Sequence, residues 1–125
     1  MHKIPISRAV RGAITVEENT AENINSAILE LLQTILKVNQ ITEDDIVSVI
    51  FTLTPDLNAE FPAKAARIYL GWDDTPMICA SEVPVPDSIK KCIRVMITFN
   101  TLKTKEEIKH VYLGKAQELR PDLVQ

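Results

Sequence analysis

The sequence predicts an α+β fold in a single domain spanning residues 1–125. Two segments carry apolar residues at helical spacing, and several others alternate apolar and polar residues as β-strands do. The elements follow one another in the order β, α, β, α, β, β, β. The chain has 125 residues and is 46% apolar, which is enough for one core. We therefore expect an α/β-type mixed sheet of ferredoxin-like topology, with the two main helices on one sheet face.

The N-terminal part predicts a strand and a long helix. Residues 3–16 are expected to be extended, with an interruption at Gly12 because glycine weakens a strand. Residues 18–39 carry apolar side chains at the spacing of one helix face. Asn19 fits the N-cap of a capping box, and Thr20 is the alternative cap.

The middle of the chain predicts a second strand and a second helix. The strand lies in "IVSVIFTLTPDL", residues 46–57, and is ended by Pro55 and Asp56. One face of it is expected to carry four apolar side chains, those of Val47, Val49, Phe51 and Leu53. A helix is expected over residues 58–72, with Pro62 in its first turn and Gly71 at its C-terminal end.

The second half of the chain predicts three further strands. Residues 75–82 form a short strand, residues 91–100 a strong one, and residues 110–113 another short one between helical turns. The apolar face of the strong strand carries Ile93, Val95, Ile97 and Phe99. Residues 116–125 are expected to form a mobile C-terminal tail.

Composition and motifs exclude several classes of function. The net charge is −3 without a dense basic run, so we expect no nucleic-acid or membrane partner. Cys79 and Cys92 do not make a disulfide framework, and without an export signal the expected location is cytoplasmic. His2 and His110 match no metal-ligand spacing. We therefore expect no metal and no cofactor.

Arg94 stands in the middle of the strong strand, opposite its apolar face. A guanidinium is costly to bury without an acceptor, so a protein carboxylate, water and an anionic ligand are all open as its partner. Two helices can cover only one face of the sheet. The other face would be semi-polar, which favours an oligomer whose subunits close around it.

Other charged and polar residues could join Arg94 in a site. Arg11 lies beside a glycine, Glu82 ends a strand, and Lys64 lies near a helix N-terminus, where anions bind. Tyr112 lies in a short strand, and Arg120 precedes a proline. Each also has an ordinary explanation as a solvated charge or a core residue. As a group they suit a small dicarboxylate and chemistry that needs electrostatic help.

Four segments carry a resemblance to a known family. They are "RGAITVE", "TPDLNAEFPAKAARIYLGW", "KKCIRVMITFNT" and "HVYLGKAQELRPDL". The sequence resembles the monofunctional chorismate mutases of the trimeric α/β class. The resemblance implies a homotrimer that forms a pseudo-α/β barrel, with active sites at the subunit interfaces. It also implies the isomerisation of chorismate to prephenate, in phenylalanine and tyrosine biosynthesis, without a cofactor.

The resemblance assigns four catalytic residues. Arg94 would donate hydrogen bonds to the breaking ether oxygen and to the side-chain carboxylate of chorismate. Glu82 would accept from the ring hydroxyl, and Arg11 and Tyr112 would contact the side-chain carboxylate. The anion opposite the strand arginine would then be the substrate.

The resemblance also implies substrate-binding residues, with Lys64 reaching the mouth of the site from the neighbouring subunit. These residues are Phe61, Ala63, Lys64, Arg67, Met77, Ile78, Cys79, Leu119 and Arg120. The sequence departs from the family where Ile78 and Ile14 replace usual threonines, and where Asp87 replaces a usual glycine. The aspartate needs a backbone conformation that it tolerates.

Two other classes of function remain open from the residues. One is a non-catalytic trimer that binds small anionic metabolites, and the other is a purely structural trimer. A binder would need the cationic residues but not Glu82, and a structural trimer would leave Arg94 unexplained.

Overall fold

Two α-helices and five β-strands make up the fold in a computed structural model, which describes residues 4–120. The elements are β1 (Ile6–Thr15), α1 (Ala21–Asn39), β2 (Ile46–Leu53), α2 (Pro62–Leu70), β3 (Met77–Ser81), β4 (Cys92–Thr101) and β5 (Val111–Leu113). Short 3-10 helices cover Glu43–Asp45, Lys105–Glu107 and Gly114–Leu119. Within the described range, no helix is both long enough and apolar enough to cross a membrane.

The strands form one mixed sheet in the order β3-β2-β4-β1-β5. β4 lies between β1 and β2 and runs antiparallel to both, which makes β1-α1-β2 a split β-α-β unit as in ferredoxin-like folds. The edge strands β3 and β5 run parallel to their neighbours. The predicted α+β class is confirmed. One difference is that α2 joins β2 to β3, ahead of β4, whereas the ferredoxin-like order places its second helix after the third strand.

The core lies between the sheet and the two helices, on one sheet face. The predicted alternation of β4 is confirmed, since its four apolar side chains are at most 3% exposed. The apolar stripe of α1 is also fully buried in this core, and consists of Ile24, Ile28, Leu31, Leu32 and Ile35. The two helices thus cover one face of the sheet, and the opposite face does not take part in this core.

The loop before α2 is tied to the start of α1. Thr20 is the N-cap of α1, and its side chain accepts from the backbone N–H of the helix's third residue at 3.1 Å. Asn19 has another role, because its Oδ1 accepts from the backbone N–H groups of Asn58 and Ala59, both at 3.0 Å. The backbone at residues 58–59 is thus held in a loop by Asn19. The helix α2 begins at Pro62 rather than at the predicted residue 58.

Gly12 does not interrupt β1, contrary to the prediction. The strand runs through it, and a Cβ at this position would lie 2.6 Å from Ile35 Cδ1 and 3.1 Å from Leu31 Cδ1. The missing side chain therefore lets α1 pack closely on the sheet.

The predicted position of Val47 on the apolar face of β2 was wrong. The pairing of β2 with β4 shifts between Ile46 and Ser48, and Val47 is 43% exposed. Val49 and Phe51, beyond this irregularity, are buried as predicted. An extra residue in one strand shifts the alternation, which places Val47 outside the core.

The sheet face opposite the helices is only partly covered. Gly114–Leu119 packs there over a small apolar cluster formed by Ala13, Cys92, Tyr112 and Ala116. Residues 116–119 of the predicted tail thus lie in this short helix, and residues 121–125 lie outside the described part of the chain. Beyond the cluster, the face carries the half-exposed Arg94 and Met96, and is semi-polar as expected.

Candidate active site

The four residues predicted to be catalytic line one cavity on the open face of the sheet. In the β-pairing, Arg94 lies opposite Ala13, which pairs in turn with Tyr112 on the edge strand. Arg11 lies two residues before Ala13 on the same face. The cavity has a volume of about 270 Å³, and its lining includes Arg11, Glu82, Arg94 and Tyr112.

Arg94 meets a carboxylate of the protein in this cavity. Glu82 follows β3, and its backbone N–H donates to the Leu53 carbonyl at 2.8 Å, which fixes the start of its side chain beside β2. Glu82 Oε2 lies 3.4 Å from Arg94 Nε and also accepts a hydrogen bond from Thr52 Oγ1. The Arg94 side chain is 47% exposed, so solvent screens this ion pair and it contributes little to stability.

Arg11 and Tyr112 are held at the other side of the cavity. The backbone N–H of Arg11 donates to His110 Nδ1 at 3.0 Å, which extends the pairing of β1 with β5. Tyr112 is 5% exposed and packs in the small cluster, against which Leu119 also packs. Burial lowers the pKa of His110, and the positive charges of Arg11 and Arg120 lower it further. Cationic groups therefore dominate this side of the cavity.

Seven of the nine predicted substrate-binding residues line a second cavity. It has a volume of about 400 Å³ and lies between α2 and β3. Its lining consists of Phe61, Ala63, Lys64, Arg67, Met77, Ile78 and Cys79. The two remaining residues, Leu119 and Arg120, lie with Tyr112 and His110 near the first cavity. Within one chain the predicted residues thus form two groups.

Side chains from both faces of β3 line the second cavity. Met77 and Cys79 pair with Val49 and Phe51 and pack against the main core, whereas Ile78 points to the opposite face and is 63% exposed. Cys79 and Glu82, three residues apart in the sequence, line different cavities of the same protomer.

Lys64 has an acidic neighbour that sequence reasoning missed. Its Nζ lies 3.2 Å from Glu60 Oε2, and Glu60 Oε1 accepts from the Phe61 backbone N–H at 3.0 Å. The Phe61 N–H and then Lys64 hold the pKa of Glu60 below its usual range. A ligand anion at this helix N-terminus would meet Lys64 already paired with an ionised carboxylate.

Thr52 is the other contact that sequence reasoning missed. It lines the first cavity with Ile50 and Met96, directly beside Arg94. Strand alternation placed Thr52 on the open face, but the pairing that brings its hydroxyl to Glu82 cannot be read from one strand alone.

The loop between β3 and β4 has the backbone conformation that Asp87 was expected to need. Its φ is +64°, in the left-handed region, which aspartate tolerates better than most residues. Lys91 at the end of this loop also has a positive φ, of +50°, and its N–H donates to both carboxylate oxygens of Asp56. Both cysteines are free.

The arrangement is suited to binding an anion rather than to proton or acyl transfer. Within residues 4–120, no cluster of three or more His, Cys, Asp or Glu side chains could hold a metal ion. The first cavity instead combines two guanidinium groups with one carboxylate and a tyrosine. Planar guanidinium groups bind carboxylates with two parallel hydrogen bonds, and fixed charges can stabilise charge that develops in a reaction.

The chain matches a protein family and known proteins over most of its length. The profile of the family "Chorismate mutase type I" matches residues 7–123. Chorismate mutase AroH of Bacillus subtilis is 46% identical over 116 residues, which are 93% of this chain and 91% of the relative. Chorismate mutase AroH of Thermus thermophilus is 48% identical over 117 residues, 93% of this chain and 95% of the relative. The solved chorismate mutase from Clostridium thermocellum is 50% identical, with a TM-score of 0.87 over 89% of this chain and 98% of that one.

Proposed function

The chain belongs to the chorismate mutase type I family, and we propose that it is a chorismate mutase, an isomerase that converts chorismate to prephenate in aromatic amino acid biosynthesis. The observation that carries the proposal within the structure is the first cavity. It brings Arg11, Glu82, Arg94 and Tyr112 together from separate parts of the chain.

The reaction is an intramolecular rearrangement, so atoms balance without any co-reactant. The C–O bond of the enolpyruvyl ether breaks, a C–C bond forms, and no group leaves. The protein can hold the reactive conformer, in which the bonding carbons lie close together. It can also stabilise the charge that develops when C–O cleavage runs ahead of C–C formation. Neither contribution uses a metal or a cofactor.

Each residue of the first cavity has a role in this proposal. Arg94 uses Nε for the ion pair with Glu82, so its two terminal nitrogens are available to the ether oxygen and the side-chain carboxylate. Glu82 accepts from the ring hydroxyl and lies near the partly positive ring. Arg11 and Tyr112 bind the side-chain carboxylate, with Leu119 against the pocket and Arg120 as outer positive charge.

The second cavity completes the site from a neighbouring subunit. We propose a homotrimer in which the first cavity of one protomer faces the second cavity of the next. Phe61 and Ala63 then line the apolar side, Lys64 and Arg67 supply positive charge at the mouth, and Cys79 approaches the ring hydroxyl. Two observations support this: the predicted residues fall into two cavities, and the semi-polar sheet face remains partly exposed. The proposed location is cytoplasmic.

The test is the loss of chorismate absorbance on adding the purified protein in the presence of a strong chelator. We expect full turnover, with prephenate as the product. Binding of chorismate without turnover would refute the proposal and would favour the non-catalytic binder. Loss of activity in chelator, restored by a divalent ion, would contradict the cofactor-free reaction.

A further inference from the structure

We propose that Thr52 is a positioning residue of this active site. Its hydroxyl keeps the Glu82 carboxylate from forming a two-fold hydrogen-bonded pair with the Arg94 guanidinium. The inference rests on the proposed function, and it concerns a residue that contacts Glu82 rather than the reacting atoms. Thr52 lies opposite Arg94 in the pairing of β2 with β4, and its hydroxyl donates to Glu82 Oε2.

The geometry around Glu82 shows what the hydroxyl does. The Glu82 backbone is fixed by its 2.8 Å hydrogen bond to Leu53, the residue after Thr52. Its side chain is 22% exposed and has two neighbours for the same oxygen, the Thr52 hydroxyl and Arg94 Nε at 3.4 Å. With Oε2 shared between these donors, Oε1 is left for a ligand hydroxyl.

Without the Thr52 hydroxyl, Glu82 can turn onto the guanidinium. Arginine and carboxylate groups prefer a two-fold parallel hydrogen-bonded geometry, which is stronger than a single contact. Such a pair would engage a terminal nitrogen of Arg94, and that nitrogen would no longer be free for the ether oxygen. The hydroxyl of Thr52 therefore keeps Arg94 available at the moment when charge develops.

The strand itself does not require a hydroxyl at this position. Valine has nearly the same shape as threonine and an equal preference for β-strands. A threonine that served only the fold could be replaced by valine at no loss of stability. A positioning threonine could not be replaced without loss of rate.

The experiment compares Thr52→Val and Thr52→Ser with the wild type in kcat, KM and melting temperature. Loss of a hydrogen bond to a charged group is expected to lower kcat of Thr52→Val by roughly 10- to 100-fold, with a smaller change in KM. Thr52→Ser keeps the hydroxyl and should restore most of the rate. The matched control is Thr98→Val, on the same sheet face but outside the two cavities, which should keep wild-type kcat.

A double-mutant cycle with Glu82→Ala separates positioning from a general structural effect. If Thr52 acts through Glu82, Thr52→Val should change kcat by less than about 2-fold when Glu82 is already alanine. Additive losses would overturn the inference, and so would wild-type kcat in Thr52→Val. Failure of the wild type to convert chorismate would instead refute the proposed function itself.

Discussion

Gly12→Ala tests whether α1 packs against β1 as closely as the structure indicates. The added Cβ would lie 2.6 Å from Ile35 Cδ1, 3.1 Å from Leu31 Cδ1 and 3.2 Å from the Val111 carbonyl oxygen. Both side chains are fully buried, so neither can move without displacing other core atoms. Alanine must therefore push the helix or its side chains away from the sheet.

The expected cost follows from two opposing effects. Overpacking a core typically costs about 1–3 kcal/mol. Replacing glycine where its φ is not positive returns about 0.5–1 kcal/mol, because the unfolded chain loses freedom. Gly12→Ala should thus lower the free energy of unfolding by about 1 kcal/mol, within a range of about 0–2.5 kcal/mol, measured by denaturant unfolding at constant protein concentration.

A compensating variant tests the same contact from the side of the helix. Ile35→Val removes the Cδ1 atom that lies nearest to the added Cβ, and alone it should cost about 0.5–1.5 kcal/mol. The Gly12→Ala/Ile35→Val double variant should be destabilised by less than the sum of the two single changes. Strict additivity, or a Gly12→Ala variant more stable than the wild type, would refute the close packing of α1 on β1.

Three further predictions concern titration, thiol reactivity and assembly. The pKa of His110 is lowered in the folded protein, so as pH falls below about 6.5 the imidazole is protonated in the unfolded chain before it is protonated in the folded one. The free energy of unfolding should therefore fall as pH drops below about 6.5. His110→Asn keeps an acceptor for the Arg11 N–H, and its melting temperature should decline less between pH 7.5 and 5 than that of the wild type. An unchanged decline would exclude His110 as the source of this pH dependence. Burial raises the pKa of the Cys92 thiol to about 11. In a Cys79→Ser variant, a thiol reagent at pH 8 should therefore label the protein only when it unfolds. Rapid labelling of the native protein would contradict the burial of Cys92. If Arg94→Ala and Lys64→Ala each inactivate the enzyme, random subunit exchange between the two variants should restore about a quarter of wild-type activity. That fraction of the shared sites carries neither change. If mass spectrometry shows mixed trimers and no activity returns, the shared-site proposal is refuted.

The parts of the fold that the sequence predicted well are those where one local pattern decides the structure. The alternation of β4 and the apolar stripe of α1 each specify a buried face, and both are buried. Pro62 lies in the first turn of α2 and Gly71 at its C-terminal end, as predicted, since proline is pre-organised for a first turn and glycine reaches a φ of +72°.

The parts that were mispredicted depend on contacts between distant segments. Val47 is exposed because β2 shifts its register against β4, and a register shift is a property of two strands. Asn19 binds the loop at residues 58–59 instead of capping α1, which also delays the start of α2. Gly12 lies in an unbroken strand because its open side faces α1.

The candidate site shows the same division. Most of the residues assigned from the resemblance line two cavities, and the sequence could not show that one protomer keeps these two groups apart. The alternation of β3 separates Cys79 from Ile78, and only the parallel pairing with β2 tells which face each one joins. The contact of Thr52 with Glu82 crosses two strands and was likewise invisible in the sequence.

The most direct test of the account is kcat and melting temperature measured on the same sample of Arg94→Ala. If the guanidinium meets charge that grows at the ether oxygen, kcat should fall by at least the order of 10²–10³ found for loss of one oxyanion donor. The folded protein should keep its melting temperature, because the half-exposed pair with Glu82 contributes little stability. Arg94→Lys keeps the charge without the planar fork and should recover only part of the rate. Arg8→Ala, a strand arginine bonded to the Lys103 carbonyl and outside both cavities, is the matched control that should keep wild-type kcat. A well-folded Arg94→Ala variant with near-wild-type kcat would contradict the account, since Arg94 would then be a structural residue.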